Sequence, residues 1–138
     1  MIVDASVALK WHLKEPDSAL AAGILVRGHL SAPSFLIIEA GHVLTKCVRQ
    51  RLFSPQVARE VWLDLVNGPL ELIDCEPLLG EALDLSLRLT ANFYDCVYLA
   101  LALATGDLVV TADERFRRAV GAAPELRDRV QTLSEAST

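Results

Sequence analysis

The stretch Tyr94-Asp95-Cys96-Val97-Tyr98-Leu99-Ala100-Leu101-Ala102-Leu103-Ala104-Thr105-Gly106-Asp107-Leu108-Val109-Val110-Thr111-Ala112-Asp113 decides the fold. Residues Tyr94 to Thr105 read as a helix with almost no polar face, so both sides of it must be buried. Leu108-Val109-Val110 follows as a short, wholly apolar strand. A buried helix running directly into a buried strand is the repeating unit of a parallel sheet covered on both faces.

Working outward, the same alternation extends to both ends. Ile2-Val3 is a two-residue apolar segment stopped by Asp4. The spacing predicts helices over residues 6–14 and 17–28, then a short strand over 30–32. Pro33-Ser34 opens a helix expected to reach about Arg51. Ser54-Pro55 opens another, with Ser as N-cap and Pro at the first helical position, ended by Asn67-Gly68-Pro69. Leu70 to Asp74 alternates apolar and charged residues like an edge strand. Pro77 to Leu89 is an amphipathic helix, Asp113 to Val120 a last helix, and Val130 to Leu133 a final strand. The expected order is β-α-α-β-α-α-β-α-α-β-α-β, an α/β chain with a parallel sheet. No linker or repeat divides it, so residues 1–133 form one domain and residues 134–138 a frayed tail.

Composition narrows the class. The chain has 138 residues, 52% hydrophobic and 22% charged, which suits one folded domain. Three cysteines, Cys47, Cys75 and Cys96, form neither an even set nor a Cys-x-x-Cys pair; they read as small buried side chains in a reducing compartment. No secretory signal or membrane-length apolar stretch is visible, and a cytoplasmic location with no membrane partner is expected. The formal net charge of −5 at first argues against nucleic acid. Its distribution reverses that inference. Residues 60–84 hold seven acids and no Lys or Arg, whereas residues 23–59 hold five bases and one acid, Glu39.

Four acids fall where a solvated face would not put them. Asp4 and Asp113 each follow a strand, at the rim where parallel α/β sheets bind ligands. Glu39 lies among apolar residues in Leu36-Ile37-Ile38-Glu39-Ala40, and Asp95 opens the most hydrophobic helix. Each has a local reading as a cap or ion-pair partner. Together, carboxylates at one rim require a shared cation, and oxygen-only ligands select Mg²⁺, with Mn²⁺ as an alternative. Glu39 and His42 form one Glu-x-x-His, but di-iron bundles need two. No phosphate-cradling glycine loop and no Gly-x-Ser-x-Gly elbow occurs.

These residues resemble the motifs of PIN-domain ribonucleases, and the compact length is similar to VapC-type toxins of prokaryotic toxin–antitoxin pairs. The resemblance rests on Ile2-Val3-Asp4-Ala5-Ser6, Ile38-Glu39-Ala40, Tyr94-Asp95-Cys96-Val97-Tyr98-Leu99-Ala100 and Leu108-Val109-Val110-Thr111-Ala112-Asp113-Glu114-Arg115-Phe116. It implies an α/β/α sandwich, a Mg²⁺-dependent endoribonuclease, a homodimer and a cognate antitoxin protein. Carried over, Asp4, Glu39, Asp95 and Asp113 would be the catalytic and metal-binding acids, with Ser6 and Thr111 as supporting hydroxyls. Asp4 and Asp95 are the first choice for direct ligands. One departure is that Arg115, Arg117 and Arg118 occupy, apart from Glu114, the stretch where some members carry a further acid. Lys46, Arg49, Arg51, Arg115, Arg117 and Arg118 are candidate RNA contacts. Two other readings stay open: a PIN-like binding module without activity, and a metal-dependent phosphoesterase acting on small substrates.

Overall fold

A computed structural model describes all residues, Met1–Thr138. The strands are β1 (Ile2–Val3), β2 (Ser31–Pro33), β3 (Glu71–Ile73), β4 (Val109–Thr111) and β5 (Val130–Thr132). The helices are α1 (Ala5–Lys10), α2 (Ser18–Leu25), α3 (Phe35–Arg49), α4 (Pro55–Asn67), α5 (Leu79–Leu89), α6 (Phe93–Thr105), α7 (Glu114–Gly121) and α8 (Leu133–Ala136). All strand pairs are parallel, in the order β3-β2-β1-β4-β5. Helices flank the sheet, giving the expected α/β/α sandwich. No helix is long and apolar enough to cross a membrane.

The strands are only two or three residues long, so burial rather than ladder length holds the sheet. Ile2, Val3, Val109 and Val110 are fully buried; each such side chain contributes about 1.5–3 kcal/mol relative to exposure. Helix α6 packs against β1, β2 and β4, and Cys96 through Ala102 are all buried. Gly106 adopts φ 69° at its end, a left-handed position that glycine takes without a Cβ clash. That turn sends the chain straight into β4. Strand β3 lies at the sheet edge, which matches its half-polar sequence.

The strand order places the site. The chain steps outward from β1 through β2 to β3, then returns to the other side of β1 for β4 and β5. Right-handed crossovers therefore lay connecting helices on opposite faces of the two halves. The crevice lies where the direction reverses, between β1 and β4, beyond their carboxyl ends.

Several boundaries differ from expectation. Helix α1 stops at Lys10 instead of residue 14, because the chain turns ahead of Pro16: Ser18 Oγ donates to the Leu13 carbonyl at 2.7 Å. The helix expected from Pro77 begins as a 3₁₀ turn at Glu76–Leu78. Cys96 is buried, but Cys47 and Cys75 are only half-buried. Most clearly, the expected frayed tail is folded. Thr132 and Glu135 form a reciprocal capping box that starts α8. Leu133 and Ala136 are buried beneath it, and Arg117 Nε donates to Glu135 Oε2 at 3.0 Å.

Candidate active site

Asp4 leaves β1 and caps α1. Its Oδ1 accepts from the Val7 N–H at 3.1 Å and from the Ser6 hydroxyl, and its Oδ2 accepts from the Thr111 hydroxyl. The Ser6 oxygen in turn accepts from the Ala112 N–H, and the Thr111 oxygen from the Asp113 N–H, both at 3.0 Å. Two hydroxyls thus lace the end of β1 to the end of β4. Asp4 is the one charged residue in the core, 5% exposed. Burial pushes its carboxyl above the usual range, although three hydrogen bonds pull the other way.

Glu39 sits one turn into α3, beyond the end of β2. Its Oε1 accepts from the Tyr98 hydroxyl at 2.5 Å. Tyr98 is 1% exposed and anchored in the core, so it fixes one edge of the carboxylate. Burial raises the Glu39 carboxyl, the Tyr98 bond lowers it, and the Asp4 charge raises it, with a net upward direction. Burial chiefly, then the Glu39 charge and bond, pushes the Tyr98 phenol up. We expect Tyr98→Phe to lower the melting temperature by roughly 3 °C, since a net hydrogen bond is worth about 1 kcal/mol and this chain is of intermediate size. An unchanged melt would show that the bond adds nothing to stability.

Asp113 follows β4 and caps α7, its Oδ1 accepting from the N–H groups of Arg115 and Phe116 at 2.9 and 3.2 Å. Asp95 lies in the first turn of α6. Unlike the other three, it gains no hydrogen bond that would favour its charge. Burial, then the negative charges of Asp4, Asp113 and Glu39, push its carboxyl up to about 7.

These four acids, from four separate segments, line one cavity of about 680 Å³ together with Ser6, Lys10, Glu15, His42 and Tyr98. Thr111 lies buried behind them. Lys10 is the single Lys or Arg in the lining, and its Nζ is paired with Glu15 Oε2 at 2.6 Å. The four carboxylates offer only oxygen donors, and the lining is negative and short of cations, which suits a hard divalent ion. No three of the acids converge at ion-binding distance. Asp4, Glu39 and Asp113 are each turned partly toward their own donors. Mg²⁺ tolerates that arrangement, because it keeps several waters and leans on one or two carboxylates.

The candidate RNA contacts are less concentrated. Lys46, Arg49, Arg51, Arg115 and Arg118 are exposed and none lines the cavity. Lys46 lies on α3 seven residues beyond Glu39, on the same stripe. Arg117 is tied to Glu135 through both Nε and Nη2, so it staples α7 to α8. Sequence reasoning left out Lys10, Glu15, Phe35, Tyr94 and Tyr98 as site residues. Helical spacing carried part of the signal: Phe35, Glu39 and His42 share a face of α3, as do Asp95 and Tyr98 on α6.

A parallel sheet that gathers carboxylates from four segments at its switch point defines a class of acid-site α/β/α proteins. The PIN-domain profile matches residues 1–122, which include all four acids, and the chain belongs to the PIN-domain family. It is 30% identical over 129 residues to "Ribonuclease VapC1" of Mycobacterium tuberculosis, covering 91% of this chain and 95% of that protein. Among solved structures, the fold is similar to PAE2754 from Pyrobaculum aerophilum, with a TM-score of 0.72 and 22% identity over 99% of this chain and 85% of the other. It is also similar to a chain of a toxin–antitoxin complex from Klebsiella pneumoniae, with a TM-score of 0.67 and 12% identity over 96% of both. A third likeness is to VapBC2 from Rickettsia felis bound to a promoter DNA fragment, with a TM-score of 0.61 and 19% identity over 95% of this chain and 96% of that one.

Proposed function

We propose that this protein is a Mg²⁺-dependent endoribonuclease and the toxin of a cytoplasmic toxin–antitoxin pair. The observation that carries the reading is the cavity shared by Asp4, Glu39, Asp95 and Asp113, with no free cation to balance them. RNA phosphates are anionic, so this cavity would repel its substrate unless a divalent ion stood between them. Family membership and the likeness to a ribonuclease support the choice of RNA. The likeness to toxin–antitoxin structures supports an antitoxin partner.

Asp95 and Asp4 are assigned as the direct ligands, and Glu39 and Asp113 as holding a second ion or acting through water. When bound, Mg²⁺ or Mn²⁺ supplies an activated water and neutralises charge at the phosphate. The protein's own part is positional. Ser6 and Thr111 hold Asp4 in one orientation, Tyr98 holds Glu39, and the start of α6 holds Asp95.

The test is cleavage of RNA and of a simple phosphoester with Mg²⁺, with Mn²⁺ and with chelator. RNA cleavage that stops on chelation is expected. Preferred turnover of the simple ester would make the protein a phosphoesterase, and absence of both activities would make it a binding module. Arg115 and Arg118 are assigned to flanking phosphates. Neutralising both should flatten the salt dependence of RNA binding by about 0.7 per lost phosphate contact in the log–log slope; an unchanged slope would remove them from the interface. A homodimer is expected by light scattering.

A further inference from the structure

Two aromatic rings pack against each other at the rim of the acid cavity. Phe35 is the first residue of α3, one turn before Glu39, and Tyr94 directly precedes Asp95 at the start of α6. Their ring centroids are 5.1 Å apart with planes inclined by 31°. Both line the same cavity as the four acids. Tyr94 is 53% exposed, and the neighbouring Phe93 is also exposed. An aromatic side chain buried in the core gains the transfer free energy of its whole surface; Tyr94 leaves half of that unrealised.

We propose that Phe35 and Tyr94 form a stacking platform for one unpaired base of the RNA, beside the phosphate that is cleaved. The proposal rests on the nuclease reading above and specifies its substrate as unpaired RNA. Any base has a π-face, so the platform grips RNA with little sequence preference. It demands a base free of its own stack, which a continuous duplex does not offer. Phe35 and Tyr94 are then positioning residues. They set the register of the strand, while the carboxylates one residue and one turn away address the backbone.

The experiment uses the full chain with Mg²⁺ and a short single-stranded oligoribonucleotide whose cleaved bond is first mapped. Tyr94→Ala is expected to raise KM about tenfold, equivalent to 1.4 kcal/mol, within the range for stacking on one base. Tyr94→Phe, which keeps the ring, should restore the wild-type KM. An abasic nucleotide beside the mapped bond should cost the wild type a similar factor, and Tyr94→Ala should lose little more on that substrate, because the two changes remove the same contact. The abasic arm needs no variant to fold. If the wild type cleaves no RNA, the nuclease reading and the platform fall together. If it cleaves RNA but neither the abasic sites nor Tyr94→Ala alters KM, the platform alone is overturned. Unchanged KM with weakened antitoxin binding would assign the rings to a protein partner and also overturn it.

Discussion

Asp95→Asn is expected to abolish RNA cleavage and, in the same protein, to raise metal-free stability at pH 8 by about 2 kcal/mol. The two effects have one cause. The Asp95 carboxyl is partly buried beside Asp4, Asp113 and Glu39, and its pKa is pushed up to about 7 from 3.8. At 1.36 kcal/mol per pH unit that difference is about 4 kcal/mol, and solvent screening on the open side of the cavity reduces it to about 2 kcal/mol. The sign follows from proton binding. The folded carboxyl holds its proton more tightly than the unfolded one, so its contribution to stability is fully present below about pH 4 and lost as pH rises through about 7. Asparagine removes the charge and with it that loss. The melting temperature of the variant at pH 8 should lie roughly 5 °C above wild type, with the gap narrowing below pH 7 and closing near pH 4. Divalent ions should stabilise the wild type at pH 8 and leave Asp95→Asn little changed. Equal melts at pH 8, or retained cleavage, would refute the assignment of Asp95.

The second large effect concerns Asp4. Asp4→Ala and Asp4→Asn both lack the charge, so their difference isolates the hydrogen bonds. Asparagine keeps an acceptor for the Val7 N–H and the Ser6 hydroxyl and remains a good N-cap. Alanine removes the cap, worth about 1 kcal/mol, and also leaves the Ser6 hydroxyl without its acceptor, costing about 1 kcal/mol; the Thr111 hydroxyl loses its acceptor in both variants. Asp4→Ala should therefore be about 2 kcal/mol less stable than Asp4→Asn, roughly 5 °C in melting temperature, with cleavage lost in both. Equal stability would mean that the lacing between β1 and β4 contributes nothing to the fold.

The parallel sheet, its element order and the edge position of β3 were readable because short apolar strands alternate with helices, and because α6 has no polar face. Ends were less readable. The turn before Pro16 shortened α1 through a bond from Ser18 to Leu13. The tail folded because Thr132 and Glu135 cap each other, a reciprocal signal hidden in two ordinary residues. Three of the acids were found by their places at element ends and Glu39 by its apolar neighbours, while Tyr98 was not found, since a buried tyrosine on an apolar helix is indistinguishable from core until its hydroxyl has a partner.

The amino-acid order by itself determined which residues are chemically out of place: a charge after each of two strands, one on an apolar helix, and one at the mouth of another. These are local facts of polarity and period, carried by neighbours a few positions away. Only the tertiary structure decided that the four line one cavity. The reversal of strand order at β1 and β4 joins Asp4 to Thr111 across 107 positions and Glu39 to Tyr98 across 59. It decided the electrostatics too. The Asp95 carboxyl is pushed up to about 7 by burial and by three acids remote in the chain, and burial and through-space repulsion exist only once the chain has folded.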